Sequence, residues 1–357
     1  MASEQSINHS RAIQKELGNT VYGCSSLKPL SGGTANFIFK GLLTRPLDDG
    51  KQEVVIKHGK GYVASMPDFK ISTSRCLIEV ECLKVMIDMP VLPGLYAVRA
   101  PKLYYFSSDT NTQVQEYLPD ATDLKSYALQ HFTAQDPSRK PLGHDLGSSL
   151  GAWLRQFHGW VSLPEQQAKL YDIAKSNKPM QSIKHMVNYS TLVATDVFEQ
   201  VKKMAAAELE RDNLETIHGD FWAGNALLPN RPLEQGTSIK IFIIDWEMCE
   251  LGVRALDLGQ MIAEMYELTL FKDMEEGKWL IDGFTTGYGK IDDVLAFRTA
   301  IHIGTHLICW GSRVPNWGTE EQVREVVKKG KDVILRAGHK DRGFFEASDL
   351  SSLFHRP

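Results

Sequence analysis

The sequence predicts an α+β chain of two lobes, a small β-rich one followed by a larger, mainly helical one. Three observations predict it. The 357 residues are enough for about two domains at ~150 residues each. Short strand-like runs crowd the first third of the chain, and stripes of helical period dominate the rest. Between them LPDATD (118–123) supplies Pro, Asp and Thr, residues that turn a chain. The boundary is set after residue 118, giving a 1–118 lobe and a 119–357 lobe.

Each element follows from its local pattern. After a polar amphipathic segment from Ile7 to Leu17, strands are expected at Phe37-Ile38-Phe39, Val54-Val55-Ile56, Leu103-Tyr104-Tyr105-Phe106 and Val114-Gln115-Glu116-Tyr117. One helix interrupts them over Arg75 to Met86, with Leu77, Val80, Leu83, Val85 and Met86 on its apolar face. Further along, Leu146, Leu150, Leu154 and Phe157 form a stripe of helical spacing. Thr319 and Gln322 make a capping box that opens a helix burying Val323, Val326 and Val327.

Composition removes several classes of function. Lys+Arg 40 against Asp+Glu 44 gives a net charge of -4, which leaves no broad basic surface, so nucleic acid is not expected as a partner. No run reaches the ~18 apolar residues of a membrane span, and MASEQSINHS lacks the apolar core of a signal peptide, so a cytoplasmic location without a membrane partner is expected. Five cysteines (Cys24, Cys76, Cys82, Cys249, Cys309) are scattered without a C-x-x-C pair. They read as reduced, mostly buried thiols, neither a disulfide framework nor a zinc site. The sequons at Asn8 and Asn188 then carry little meaning. Oligomeric state is left open.

The chemistry concentrates in His218-Gly219-Asp220-Phe221-Trp222-Ala223-Gly224-Asn225 and in Ile243-Ile244-Asp245-Trp246-Glu247. An Asp, an Asn five positions later and an Asp ending an apolar strand is the order in which phosphoryl-transfer enzymes of the kinase type place a base and two metal ligands. Charge is the reason. A transferring phosphoryl group spreads negative charge over its oxygens, so the site needs a divalent ion held by hard oxygen donors. A carboxylate must also receive the proton of the attacking hydroxyl, and Asp220 stands first in that loop.

Together HGDFWAGN and IIDWE resemble the aminoglycoside phosphotransferase and choline kinase-like family of small-molecule kinases, over roughly Leu30 to Lys331. LSGG (30–33), Lys57-His58, DFKI (68–71), WAGNALL, DWEMC, LDLG (256–259) and WGTEE (317–321) are similar to the hydroxytryptamine kinases of that family. The Asp245-x-Glu247 pair is similar to its methylthioribose kinases. The resemblance implies a protein kinase-like bilobal fold that binds ATP and Mg²⁺. It gives Asp220 the role of base, Asn225 and Asp245 that of magnesium ligands, and His218 that of a brace for the loop. Glu247 either joins the metal or only hydrogen-bonds nearby.

The same resemblance assigns residues upstream and downstream. Ser31, Gly32, Gly33 and Thr34 would cover the phosphates, although two adjacent glycines also fit a plain hairpin turn. Lys57 would hold the α- and β-phosphates, paired with Glu79 of an E-x-x-x-L pattern, with Glu81 on another helical face as the alternative. Taken alone, a strand-end lysine is a solvated charge. Backbone groups of Glu116 and Leu118 would meet the adenine, or the segment is an interdomain strand without a ligand. Asp257 is expected to support the catalytic loop, an N-cap being enough to explain an Asp there. Trp310, Arg313 and Trp317 would wall the acceptor pocket, or the tryptophans are core. Glu250 and Glu264 would suit a cationic substrate unless they are merely solvated, and His158 reads as structural.

The expected function is an ATP- and Mg-dependent phosphotransferase acting on a hydroxyl of a small molecule, such as a hydroxytryptamine. Methylthioribose-, choline- and aminoglycoside-type acceptors are alternatives on the same fold. The reading of another class, a nucleotide-binding pseudokinase, is disfavoured because the Lys, the catalytic Asp and both metal ligands are all present.

Overall fold

The computed structural model describes residues 4–132, 136–189, 192, 196–211, 213–314 and 317–354. The first part of the chain runs α1 (Glu4–Leu17), β1 (Cys24–Pro29), β2 (Phe37–Leu43), β3 (Glu53–His58), β4 (Tyr62–Val63), β5 (Met66–Lys70), α2 (Ser74–Met86), β6 (Tyr96–Arg99), β7 (Leu103–Ser107) and β8 (Thr112–Glu116). The second runs β9 (Ala121–Asp123), α3 (Leu124–His131), α4 (Lys140–Val161), α5 (Pro164–Ser176), α6 (Lys178–Tyr189), α7 (Asp196–Leu209), β10 (Glu215–Ile217), β11 (Ala226–Pro229), β12 (Ile239–Ile243) and β13 (Glu250–Gly252). It ends in α8 (Ala255–Lys272), α9 (Glu276–Tyr288), α10 (Asp293–Cys309), α11 (Glu320–Gly338) and α12 (Arg342–Glu346). The α+β class with a β-rich region before a helical one is as expected.

Alternation builds the first sheet. In β2 and β3 the residues Phe37, Phe39, Val54 and Ile56 point to one buried face, and the sheet is antiparallel in the order β1-β2-β3-β8-β7. Its core also takes Ile13 and Leu17 from α1. A second sheet, in the order β6-β12-β11-β9, joins the two parts of the chain, because Tyr96–Arg99 runs parallel to Ile239–Phe242. That sheet carries the strand that leads into Asp245.

Helix α2 departs from expectation at one residue. Leu77 is 50% exposed, whereas Ile78 and Cys82 are buried with Val80 and Leu83. The inward face therefore also carries Arg75 and Glu79, charged residues that an apolar stripe does not reveal. In α4 the expected stripe of Leu146, Leu150, Leu154 and Phe157 is wholly buried. The other side of α4 meets α9 almost backbone to backbone: a Cβ at Gly147 or Gly151 would lie 2.2 or 2.0 Å from a carbonyl oxygen of α9, and one at Gly287 would lie 1.9 Å from that of Ser148. Only glycine allows that approach.

Thr319 and Gln322 form the reciprocal capping box at the start of α11, where Val326 is buried and Val323 and Val327 half-buried. All five cysteines are free and four are buried. Among the described residues no helix is long and apolar enough to cross a membrane.

Candidate active site

The catalytic segment leaves β10 at Ile217 and makes a tight bend. Gly219 has φ +77, and a Cβ there would lie 2.1 Å from the carbonyl oxygen of Met248, so the bend requires glycine. Asp257 holds the bend from below, its two oxygens accepting the backbone N–H groups of His218 (2.9 Å) and Gly219 (3.0 Å). The residue that caps α8 is Arg254. The N-cap explanation for Asp257 is therefore corrected: it sits in the first turn of α8 and its carboxylate is turned outward to the loop. His158 bridges Asp257 (3.1 Å) and the hydroxyl of Tyr288 (2.9 Å), deep in the core.

His218 is fully buried and its Nε2 lies 3.1 Å from the carbonyl oxygen of Ile244. Its Nδ1 receives the N–H of Asp220 at 3.3 Å. One nitrogen accepting and the other donating describes a neutral ring, and burial lowers its pKa in the same sense. The ring thus ties the catalytic loop to the strand that ends in Asp245.

The side chain of Asp220 is 23% exposed. Its Oδ1 accepts from Lys184 Nζ at 2.5 Å and from Gln260 Nε2 at 2.8 Å. Its Oδ2 accepts from Asn225 Nδ2 at 3.1 Å. Burial pushes the carboxyl up, but the Lys184 ammonium and the hydrogen bonds of Lys184 and Gln260 outweigh it and hold the pKa below the usual carboxylate value. The group is an ionised acceptor at neutral pH. Asn225 also donates to the Asp220 carbonyl oxygen (2.9 Å), and its own carbonyl takes the N–H of Ile244 (3.0 Å). Its amide nitrogen is therefore occupied, and the amide oxygen faces the other way.

Lys57 in β3 is buried between Glu79 of α2 (2.8 Å) and Asp245 (2.5 Å). Burial disfavours its charge, but Asp245, Glu79 and Glu247 outweigh that and raise its pKa. Glu79 is the partner, fixed in turn by Gln113 at 3.0 Å. Glu81 pairs with Lys84 on the outer face. Asp245 has left-handed backbone, φ 66 and ψ 60, and keeps its side chain 34% exposed.

Glu247 is buried. Its Oε2 accepts from Asn36 Nδ2 at 2.7 Å and lies 3.2 Å from Arg75 Nε. Burial is the main reason its pKa is pushed up to about 7. Asn36 closes the Ser31–Thr34 loop, so one carboxylate joins that loop, α2 and the metal motif. Glu79, Asp245 and Glu247 bring their oxygens within 4.8 Å of one another. Carboxylate oxygens so grouped are hard donors of the kind that holds Mg²⁺.

The loop of Ser31, Gly32, Gly33 and Thr34 is exposed between β1 and β2, with Gly32 at φ +100. The Glu116 side chain is buried and clamped by Arg99 through two 2.8 Å bonds, and its backbone N–H is taken by the Lys102 carbonyl. Leu118, two residues on, is half-buried. Trp310 donates its indole N–H to Asn188 at 3.1 Å and stacks on His306. Trp317 is half-buried, with the ammonium groups of Lys125 and Lys272 at 4.2 and 4.5 Å from its ring. Arg313 is exposed.

Glu264 is not solvated: it is buried between Lys125 (2.8 Å) and His306 (2.8 Å). Glu250 is buried as well, its Oε2 without a partner and its pKa pushed up to about 8 by burial. Lys184, Gln260, Asn36, Arg75 and Lys125 escaped sequence reasoning. For Lys184 a signal existed: Asn177, Gln181, Lys184 and Asn188 follow one another at intervals of four, three and four, which places them on one helical face.

Three comparisons bear on this geometry. No protein-family profile matches the chain. The chain is 27% identical over 376 residues to the phosphotransferase FrzJ of a Cladobotryum species, covering 96% of each protein. It is 25% identical over 341 residues to the 4-hydroxytryptamine kinase of Psilocybe cubensis, covering 92% of this chain and 91% of that one. Among solved structures it resembles the Plasmodium vivax ethanolamine kinase (TM-score 0.51, 13% identity, 95% of this chain and 89% of that chain). The choline kinase LicA of Streptococcus pneumoniae is similar too (TM-score 0.50, 16% identity, 92% of this chain and 99% of that chain). These two likenesses are of fold. The resemblance to small-molecule kinases stated from the motifs therefore holds along nearly the whole chain.

Proposed function

We propose that this small-molecule kinase transfers the γ-phosphoryl group of ATP to a hydroxyl of a specialised metabolite, a hydroxytryptamine-type alcohol being the first candidate. The observation that carries the reading is the set of contacts Asp220–Asn225, Lys57–Glu79 and Lys57–Asp245, linked by the hydrogen bond from the Ile244 N–H, beside Asp245, to the Asn225 carbonyl. It matches what phosphoryl transfer needs: an ionised base, hard metal ligands and a fixed cation. The 4-hydroxytryptamine kinase among the relatives supports the acceptor class.

The amide oxygen of Asn225 and the carboxylate of Asp245 would hold magnesium, which neutralises charge on the phosphates when bound. Glu247 supports that pair from behind, since its Oε2 is taken by Asn36 and Arg75. Lys57, fixed by Glu79, meets the α- and β-phosphates under the Ser31–Thr34 loop, and the Glu116 and Leu118 backbone meets the adenine. In this reading residues 1–118 bind ATP, and residues 119–357 carry the catalytic groups and the acceptor pocket, to which Trp310, Arg313 and Trp317 are assigned.

In the transfer, a lone pair of the acceptor oxygen forms the bond to the γ-phosphorus as the bond to the bridging oxygen breaks. ADP leaves with that electron pair, and the hydroxyl proton passes to Oδ2 of Asp220.

The test is ATP consumption by the purified protein, with and without magnesium, across indole alcohols, methylthioribose, choline, homoserine and aminoglycosides. One hydroxyl compound is expected to raise turnover above background hydrolysis, and a chelator to abolish it. ATP binding without turnover on any of them would favour the pseudokinase. Asp220→Asn is expected to keep ATP affinity and lose roughly 10²-fold or more in kcat, measured with the acceptor so found.

A further inference from the structure

The catalytic loop contains no lysine or arginine from His218 to Asn225, yet its aspartate is held by an ammonium group. That ammonium comes from α6, a helix 36 residues earlier in the chain. We propose that Lys184 is the positioning residue of the transfer reaction, clamping Oδ1 of Asp220 so that a single lone pair of Oδ2 faces the acceptor hydroxyl. The inference rests on the kinase reading above and deepens it.

The argument is a lone-pair inventory. Each carboxylate oxygen offers two acceptor positions. On Oδ1 both are filled, by Lys184 at 2.5 Å and Gln260 at 2.8 Å. On Oδ2 one is filled, by Asn225 at 3.1 Å. One position is left for the proton of the acceptor. Lys184 also donates to Gln260 Oε1 at 3.1 Å, so Lys184, Asp220 and Gln260 close a triangle. A carboxylate so held has one rotamer, and positioning of this kind supplies a large share of a catalysed rate.

The carrier of Lys184 is itself pinned. Asn177, just ahead of α6, donates to the carbonyls of Glu247 (2.9 Å) and Cys249 (2.8 Å). Gln181 donates to the carbonyl of Leu251 (2.7 Å). On a neighbouring face, Met180 and Ile183 pack with Val63, Ile71, Ala35 and Met248. The helix therefore touches the metal-motif backbone, the base and the foot of the Ser31–Thr34 loop together. One rigid element sets the base relative to the groups that would carry the nucleotide.

A double-mutant cycle tests it. Lys184→Met, Asp220→Asn and the double variant are compared for ADP formation from ATP and magnesium, with 4-hydroxytryptamine and with water as acceptors. Lys184→Met is expected to lower kcat by roughly 10²-fold with KM for ATP within about 2-fold, and Lys184→Arg to recover roughly 10-fold of that loss. In the Asp220→Asn background, Lys184→Met should cost less than about 3-fold more, because a residue acting only through Asp220 has nothing left to position. Multiplicative losses, or an unchanged kcat in Lys184→Met, overturn the proposal while leaving the kinase reading intact. A wild-type protein that forms no ADP with any acceptor overturns both. Should Lys184→Met fail to fold on a melting scan, Gln260→Met removes the other half of the Oδ1 clamp, and the same cycle decides the question.

Discussion

Two buried clusters in this protein have nearly the same composition and opposite characters. In one, Lys57 lies between Glu79 and Asp245 with Glu247 and Arg75 behind. In the other, Lys125 lies between Glu264 and Glu267 with His306 behind. Each brings three possible metal donors within 4.8 Å, and each contains one carboxyl pushed up to about 7, Glu247 and Glu267. They differ in what carries them. The second cluster sits wholly on α3, α8 and α10, and its two carboxylates are buried. The first draws one acid from a left-handed loop residue whose side chain stays 34% exposed. The first cluster thus keeps one acid partly open to solvent, whereas the second is a helical clamp with both acids closed in.

The largest expected effect breaks the first cluster at Asp245, its most exposed member. Asp245→Asn should lower kcat by roughly 10³-fold, about 4 kcal/mol of transition-state stabilisation. Its melting temperature should stay close to that of the parent, since Glu79 still neutralises Lys57. In the second cluster the readouts exchange. Lys125→Met leaves Glu264 and Glu267 buried without their cation, a loss of about 3 kcal/mol of stability, at the low end of the range for broken buried pairs because Lys125 is 14% exposed. Denaturant titration of both variants checks the pair. A stable Lys125→Met protein would show that the second cluster is not a clamp.

How much of this was legible in the sequence depended on distance along the chain. Asp220, Asn225 and Asp245 were legible as a set because Asp220 and Asn225 share one loop and Asp245 follows the apolar strand β12. The E-x-x-x-L pattern favours Glu79 over Glu81 without deciding between them, and the 2.8 Å contact of Glu79 with Lys57 decides it. By contrast, Asn36 meets Glu247 across 211 positions and Gln260 meets Asp220 across 40, and no local period marks such pairs. Apolar periodicity also misjudged α2, where the buried face carries Arg75 and Glu79 and leaves Leu77 in solvent. The acidic residues of α8 misled for a related reason. Glu264 and Glu267 look like a solvated edge until Lys125 arrives from α3 and His306 from α10.

The smallest effect sharpens the comparison through pH. Burial, then the charge of Glu264, pushes Glu267 up to about 7, against the pull of Lys125. Between the ordinary carboxylate range and about 7 the folded chain holds a proton that the unfolded chain has released, so Glu267 lowers stability as pH rises through that window. Glu264 is lowered to about 2, because Lys125 and His306 outweigh its burial. Its contribution is present above the ordinary carboxylate range and is lost only in strong acid. Glu267→Gln should therefore flatten the fall in melting temperature between about pH 5 and about pH 8, by roughly 1–3 °C. Glu247 and Glu250 also titrate in or near this window, and ATP with magnesium separates Glu247 from Glu267. A cation beside Glu247 should pull its pKa down and remove its share of the slope, while the share of Glu267 persists. If ATP and magnesium abolish the Glu267 share as well, the two clusters are coupled and the helical clamp belongs to the active site after all.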